Sequence, residues 1–177
     1  NTFFYLIIQV PVMISLALLL AVLVEQKFVR GKGFFRMATF LPTITSLVAY
    51  SLVFKVLFNT NYGLINYIVE FFGGEKIQWI YSAWPARASI IISITWRWVG
   101  YNMIILLAGI QAIPTEMYES ASLDGASFWQ QLFYIPIPAI KPIILFTTIT
   151  STIGTLQLFD EPYILTQGGP NYATITL

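Results

Sequence analysis

The chain has 177 residues, 57% of them hydrophobic, 16% aromatic and only 10% charged, with no cysteine and no histidine. A soluble domain carries about 25% charged residues, so this composition cannot cover a water-facing surface and places the chain in a membrane. Nine basic residues against eight acidic ones leave a formal charge of +1, which excludes a phosphate-tracking nucleic-acid surface, while the missing Cys and His exclude disulfides, thiol nucleophiles, imidazole bases and ordinary zinc sites. No catalytic residue, cofactor site or metal site is assigned to this chain.

In chain order, four stretches meet the requirement of roughly 20 apolar residues for crossing a bilayer core. Thr2 to Val24 is uncharged and holds Pro11, which predicts a kink. Met37 to Phe54 is the second, with Pro42 near its start and Lys55 placed to snorkel at its end. Ser89 to Ile113 is the third, interrupted by Arg97, and Pro142 to Phe159 is the fourth. No basic n-region precedes the first stretch, so a cleaved signal peptide is not expected. The chain starts at Asn1 rather than Met and turns apolar again over Ala173 to Leu177, and it is read as a piece of a longer polypeptide forming one helical domain.

Charge sets the expected topology. Lys27, Arg30, Lys32 and Arg36 crowd into loop 25–36, which the positive-inside rule makes cytoplasmic. Counting crossings puts 59–87 and 160–177 outside and 114–141 inside. The outer segment contains Ile65 to Phe72, read as a short surface helix or a plain structured loop, stopped by Gly73-Gly74 and rimmed by Trp79, Tyr81 and Trp84.

Loop 114–141 is too elaborate for a simple turn. Pro114 ends the preceding helix, Thr115 is a candidate N-cap, and Glu116 and Glu119 favour the first turns of a short helix over Glu116 to Leu123. Gly125 supplies a stop with positive φ, a second short helix spans Ser127 to Tyr134, and Pro136 and Pro138 turn the chain back toward the bilayer.

Glu119-Ser120-Ala121, Asp124-Gly125-Ala126 and Ile135-Pro136-Ile137-Pro138 resemble the EAA motif of permease subunits of binding-protein-dependent ABC importers, with Ser120 in place of the first alanine and Ile137 in place of leucine. Asn1-Thr2, Phe34-Phe35-Arg36 with Leu41-Pro42, Tyr62-Gly63-Leu64-Ile65-Asn66, Trp96-Arg97-Trp98-Val99-Gly100 and Leu165-Thr166-Gln167-Gly168-Gly169-Pro170 are similar to its carbohydrate-importing branch. The resemblance implies an all-α polytopic bundle of the type I importer permease fold in a bacterial or archaeal plasma membrane, with a further helix on each side of this segment. It also implies a second permease subunit, two ATPase subunits, an extracytoplasmic solute-binding protein and a sugar substrate. In such importers the motif is a coupling helix seated on the ATPase. By that resemblance Glu119, Ala121, Asp124, Gly125 and Ala126 form the docking loop, Glu119 as a polar contact, Ala121 in close packing and Gly125 as the turn. ATP is expected on the partner subunit, since the chain contains no G-x-x-x-x-G-K-[ST] loop.

Polar groups at bilayer depth mark candidate paths. Ser151, Thr155 and Leu158, with Gly154 beside them, share one face of the fourth helix, and Trp96, Val99, Gly100 and Met103 fall at helical spacing on the third. Hydroxyls, amides and aromatic faces suit sugars, and the same small residues equally serve helix packing. Arg97 is either a group of the cavity or half of an ion pair with Asp160 or Glu161. An ion-coupled transporter or channel, which needs buried acidic pairs or inverted repeats, and a membrane enzyme, which needs clustered acids, are the competing classes. The sequence displays neither pattern.

Overall fold

In the computed structural model, residues 1–26 and 29–176 are described, so Lys27 of the basic loop lies outside them. Among the described residues ten α-helices follow in order: α1 (Thr2–Glu25), α2 (Lys32–Ile44), α3 (Leu47–Leu57), α4 (Leu64–Phe71), α5 (Ala83–Gln111), α6 (Thr115–Leu123), α7 (Phe128–Tyr134), α8 (Pro136–Ala139), α9 (Lys141–Leu156) and α10 (Asp160–Thr166), with a 3-10 turn over Pro170–Tyr172. α1 and α5 are each long and apolar enough to cross a bilayer unaided. At 1.5 Å per residue, the 24 residues of α1 reach roughly 36 Å, and α1 continues as a single helix through Pro11.

The second expected span is not one helix. α2 and α3 meet at a 99° bend, with Thr45 and Ser46 extended between them. Pro42 removes a backbone donor one turn earlier, and the Thr45 hydroxyl turns back to the Pro42 carbonyl. A break at bilayer depth persists only where protein satisfies the freed backbone. Here α5 supplies the partners: the Thr43 hydroxyl donates to the Arg97 carbonyl (2.9 Å), and Arg97 Nη2 donates to the Thr45 carbonyl (3.4 Å). The fourth expected span is the single helix α9, and the chain bends by 68° just before it, between Trp129–Ala139 of the preceding loop and α9. α7 stops at Tyr134, before the two prolines, and Pro136 then opens the short α8 at a position where its missing N–H costs nothing. The third span starts earlier than Ser89, at Ala83. Arg87 is tolerated within it because its guanidinium lies against the Phe4 and Trp84 rings and donates to the Ala173 carbonyl (3.0 Å) and to Asn1 Oδ1 (2.9 Å).

The core lies along α5, with α1 and α2 packed on it and α9 packed on α1 and α5. Ala17 and Ala21, fully buried one turn apart, let α1 approach Met103, Leu106, Leu107 and Ile110 closely. A second cluster joins Tyr5, Tyr50, Phe54, Phe58, Ile90 and Leu165 at the end where α10 packs on α3 and α5. Asn66, buried at the same end, ties the α4 segment into a knot: its amide donates to the Thr60 and Ile77 carbonyls, and its oxygen accepts from Ile77 N–H and Trp79 Nε1. At the opposite end Glu25 gathers three partners: Gln111 Nε2 donates to it at 2.9 Å, and Arg36 and Lys32 pair with it at 3.4 and 3.5 Å.

Gly100 marks a close approach of α5 to α2. A Cβ built there would fall 1.7 Å from the Thr39 carbonyl oxygen of α2, backbone that cannot step aside. Gly100→Val is therefore expected to push α2 off α5 and to destabilise the fold by roughly 1–3 kcal/mol. The check is the midpoint of thermal unfolding in detergent, and an unchanged midpoint would contradict this packing.

Candidate functional site

Two features stand out, a loop at one end of the bundle and a cavity within it. The loop begins where α5 ends. Pro114, rather than Thr115, occupies the N-cap of α6, and Thr115 is its first helical residue. α6 has no buried residue, and Glu119 is exposed on it. The helix closes in a Schellman arrangement: Asp124 is the C-cap, Gly125 takes φ +75°, Ala126 N–H donates to the Ala121 carbonyl (2.9 Å) and Gly125 N–H to the Ser122 carbonyl (3.1 Å). The motif's Asp-Gly-Ala is thus the cap, the left-handed turn and the residue that locks it.

Ser127 then caps α7, its hydroxyl accepting from Gln130 N–H while the Gln130 side chain accepts from Ser127 N–H, a reciprocal capping box. Gln131 draws α7 back on α6 through Ser122 Oγ (3.0 Å) and the Ala126 carbonyl (3.1 Å). Ala121, Asp124, Gly125 and Ala126 come together on the wall of a cavity of about 320 Å³, completed by Gln130, Gln131, Tyr134 and Ile135. Glu119 stands off that wall. Burial raises the pKa of the Tyr118 phenol on α6, and the Glu25 carboxylate raises it further.

The second cavity, about 200 Å³, is walled by α1, α5 and α9 and capped by the start of α10. Ser151, Gly154, Thr155 and Leu158 all line it. On α5 the lining residues are Ile94, Trp98, Tyr101 and Asn102. Trp96, Val99, Gly100 and Met103 are not brought to this wall. Trp96 packs on Phe54 and Tyr50, Val99 joins the contacts with α1, Gly100 meets α2, and Met103 is fully buried in the core. Helical spacing grouped them correctly on faces of α5 but did not say which face looks inward.

Two amides missed from the sequence build the polar part of this wall. Gln9 accepts at Oε1 from the Thr155 hydroxyl (2.9 Å), and Asn102 accepts at Oδ1 from the Ser151 hydroxyl (3.4 Å). Both are almost wholly buried. The signal that would have found them is the one that singled out Arg97: a polar side chain within an otherwise apolar span. Arg97 itself pairs with Glu161, Nη1 to Oε1 at 3.9 Å, and its guanidinium lies 4.6 Å from the centre of the Tyr50 ring.

Among the described residues, an all-helical bundle with two bent spans, a polar cavity among α1, α5 and α9 and a motif loop between α5 and α9 is the architecture of a polytopic membrane protein. The chain belongs to the family of binding-protein-dependent transport system inner membrane components, whose profile matches residues 1–177. It is 49% identical over 181 residues to the lactose transport system permease protein LacF of Rhizobium radiobacter, covering 100% of this chain and 60% of that protein. It is 36% identical over 170 residues to the arabinooligosaccharides transport system permease protein AraP of Halalkalibacterium halodurans, covering 96% of this chain and 54% of that protein. Among solved structures, a bacterial alginate ABC transporter in complex with an alginate pentasaccharide-bound periplasmic protein matches with a TM-score of 0.78 at 26% identity, over 98% of this chain and 59% of that one. The chain therefore spans somewhat more than half the length of these relatives.

The Thr155 to Gln9 bond joins α9 to α1 at the cavity wall, between two buried side chains. Thr155→Val keeps the shape and removes the donor, with an expected loss of about 1 kcal/mol. Thermal unfolding in detergent reads this, and a midpoint equal to the parent's would show that the bond carries no net stability.

Proposed function

We propose that this chain is the membrane-spanning permease core of an ATP-driven importer of sugars or oligosaccharides. It works with a second permease subunit, two ATPase subunits and an extracytoplasmic solute-binding protein. One observation carries the reading: the motif loop is continuous with the cavity walls, since α6 follows α5 and α7 leads through α8 into α9. A displacement of the loop therefore moves two of the three helices that enclose the polar cavity. The sugar transport relatives support the substrate class.

On this reading, loops 25–36 and 114–141 face the cytoplasm, as the basic residues Arg30, Lys32 and Arg36 favour. Segments 59–87 and 160–177 then face outward. The two sets gather at opposite ends of the bundle, around Glu25 and Gln111 at one and around Asn1, Arg87 and Ala173 at the other. The docking surface comprises Glu119, Ala121, Asp124, Gly125 and Ala126. An exposed carboxylate on a helix with no buried face is available to a basic partner, and small residues at the turn allow close approach. ATP is hydrolysed on the ATPase subunits, so the contribution of this chain is mechanical. The substrate path uses Ser151, Gly154, Thr155 and Leu158 together with Trp98, Tyr101, Asn102 and Gln9. Amides and hydroxyls bond sugar hydroxyls, and the two aromatic rings offer faces to the apolar sides of a pyranose. Trp96, Val99, Gly100 and Met103 back this wall from behind.

Gly125 has open space around its Cα, so a side chain there meets no atom and the cost is conformational alone. The left-handed backbone costs an L residue roughly 1–2 kcal/mol, and a β-branched one more. Gly125→Val is expected to insert normally yet to lower uptake and sugar-stimulated ATP hydrolysis at least tenfold. Normal uptake in cells would remove the docking role of this turn. Glu119→Ala is expected to reduce the amount of ATPase subunit that co-purifies in detergent, and undiminished recovery would show that Glu119 makes no essential contact.

A further inference from the structure

Most of the wall of the α1–α5–α9 cavity is uncharged, and charge enters at one end, where α10 begins. Asp160 and Glu161 line the cavity there, and no lysine or arginine is among the described lining residues. The two carboxylates have different surroundings. Glu161 is 7% exposed and pairs with Arg97, so its charge is balanced inside the protein. Asp160 is exposed and has no ion pair among the described residues. Taken with Arg97, this end of the cavity holds two negative charges against one positive.

That imbalance acts on ligands by sign. Asp160 is open to solvent and its field is partly screened, but a cleft whose unbalanced charge has one sign focuses that field on a ligand entering there. A sugar carrying a carboxylate or sulfate would bring a second anion toward Asp160 with no cation on the wall to offset it. A neutral sugar meets the opposite situation, because a carboxylate accepts strong, charge-assisted hydrogen bonds from hydroxyls.

We propose that Asp160 makes this cavity a filter for ligand charge, admitting uncharged glycosides and rejecting anionic ones. Arg97 is the positioning residue that neutralises Glu161 and leaves Asp160 as the deciding charge. The proposal rests on the reading of this cavity as the sugar path. Discrimination at this site is separate from any selection by the solute-binding protein, because the charge lies on the permease itself.

The test is direct binding to the detergent-solubilised complex of permeases and ATPase subunits, with the solute-binding protein left out. Lactose and its analogue oxidised at the galactose C6 differ at one carbon, where a carboxylate replaces CH2OH, and ligand-observed NMR measures both even when affinity is low. The parent complex is expected to bind the uronate at least tenfold more weakly than lactose. Asp160→Asn should reduce that ratio to threefold or less, and Asp160→Glu, which keeps the charge, should retain it. Comparable unfolding midpoints for the two variants show that the change comes from charge and not from folding. A parent complex that binds both sugars equally, or an Asp160→Asn variant that keeps the full ratio, overturns the filter. Binding of neither sugar to the parent overturns the sugar-path reading and the filter with it.

Discussion

Inside a bilayer, a backbone group left without a partner has no water to turn to, and at the helix break at Thr45–Ser46 α5 supplies one such partner, Arg97 Nη2 to the Thr45 carbonyl. Arg97 is the centre of the arrangement. Its carbonyl receives the Thr43 hydroxyl, its guanidinium reaches the Thr45 carbonyl and the Glu161 carboxylate, and the Tyr50 ring lies under it. Four elements, α2, α3, α5 and α10, are located by this one side chain. The right-angled path of α2 and α3, the seat of α10 over the cavity and hence the acidic end of that cavity all depend on it.

The two long helices then do the work of connection. α5 carries the Gly100 contact with α2, the inward residues Trp98, Tyr101 and Asn102, and at its far end Gln111, from which the chain enters the motif loop. α9 carries Ser151 and Thr155 on the facing wall. Polar bonds from Thr155 to Gln9 and from Ser151 to Asn102 cross the bundle at the cavity, so the site is assembled from three helices distant in sequence.

What was legible in the sequence followed from local rules. Apolar length gave α1, α5 and α9 to within a few residues, because hydrocarbon thickness is a strict ruler. Gly125 was legible as a left-handed stop, because only the backbone at that residue decides the matter. The 99° break was not, since Thr43 to Ser46 is as uncharged as a continuous span would be, and the partner that permits the break sits on another helix. The side of α5 turned to the α1–α5–α9 cavity is likewise set by its neighbours: Trp96 and Trp98 are chemically alike, yet Trp98 lines that cavity and Trp96 packs on Phe54. Arg97 shows how far a local reading extends, as its pairing with an acid at the start of α10 was one of two foreseen alternatives, while its grip on the break was not foreseen.

The Glu25 cluster gives the motif end of the bundle a particular kind of stiffness. Glu25 ends α1, its partners Lys32 and Arg36 belong to α2, and Gln111 ends α5 just before α6. A small displacement of α6 is thus shared with α1 and α2 and not confined to the helices that flank it in sequence. Each contact is half-exposed and individually weak, worth at most about 1 kcal/mol. Such a joint couples the ends of α1, α2 and α5 through contacts that are each easily exchanged, while the buried packing of α1 and α2 on α5 holds the rest of the bundle together.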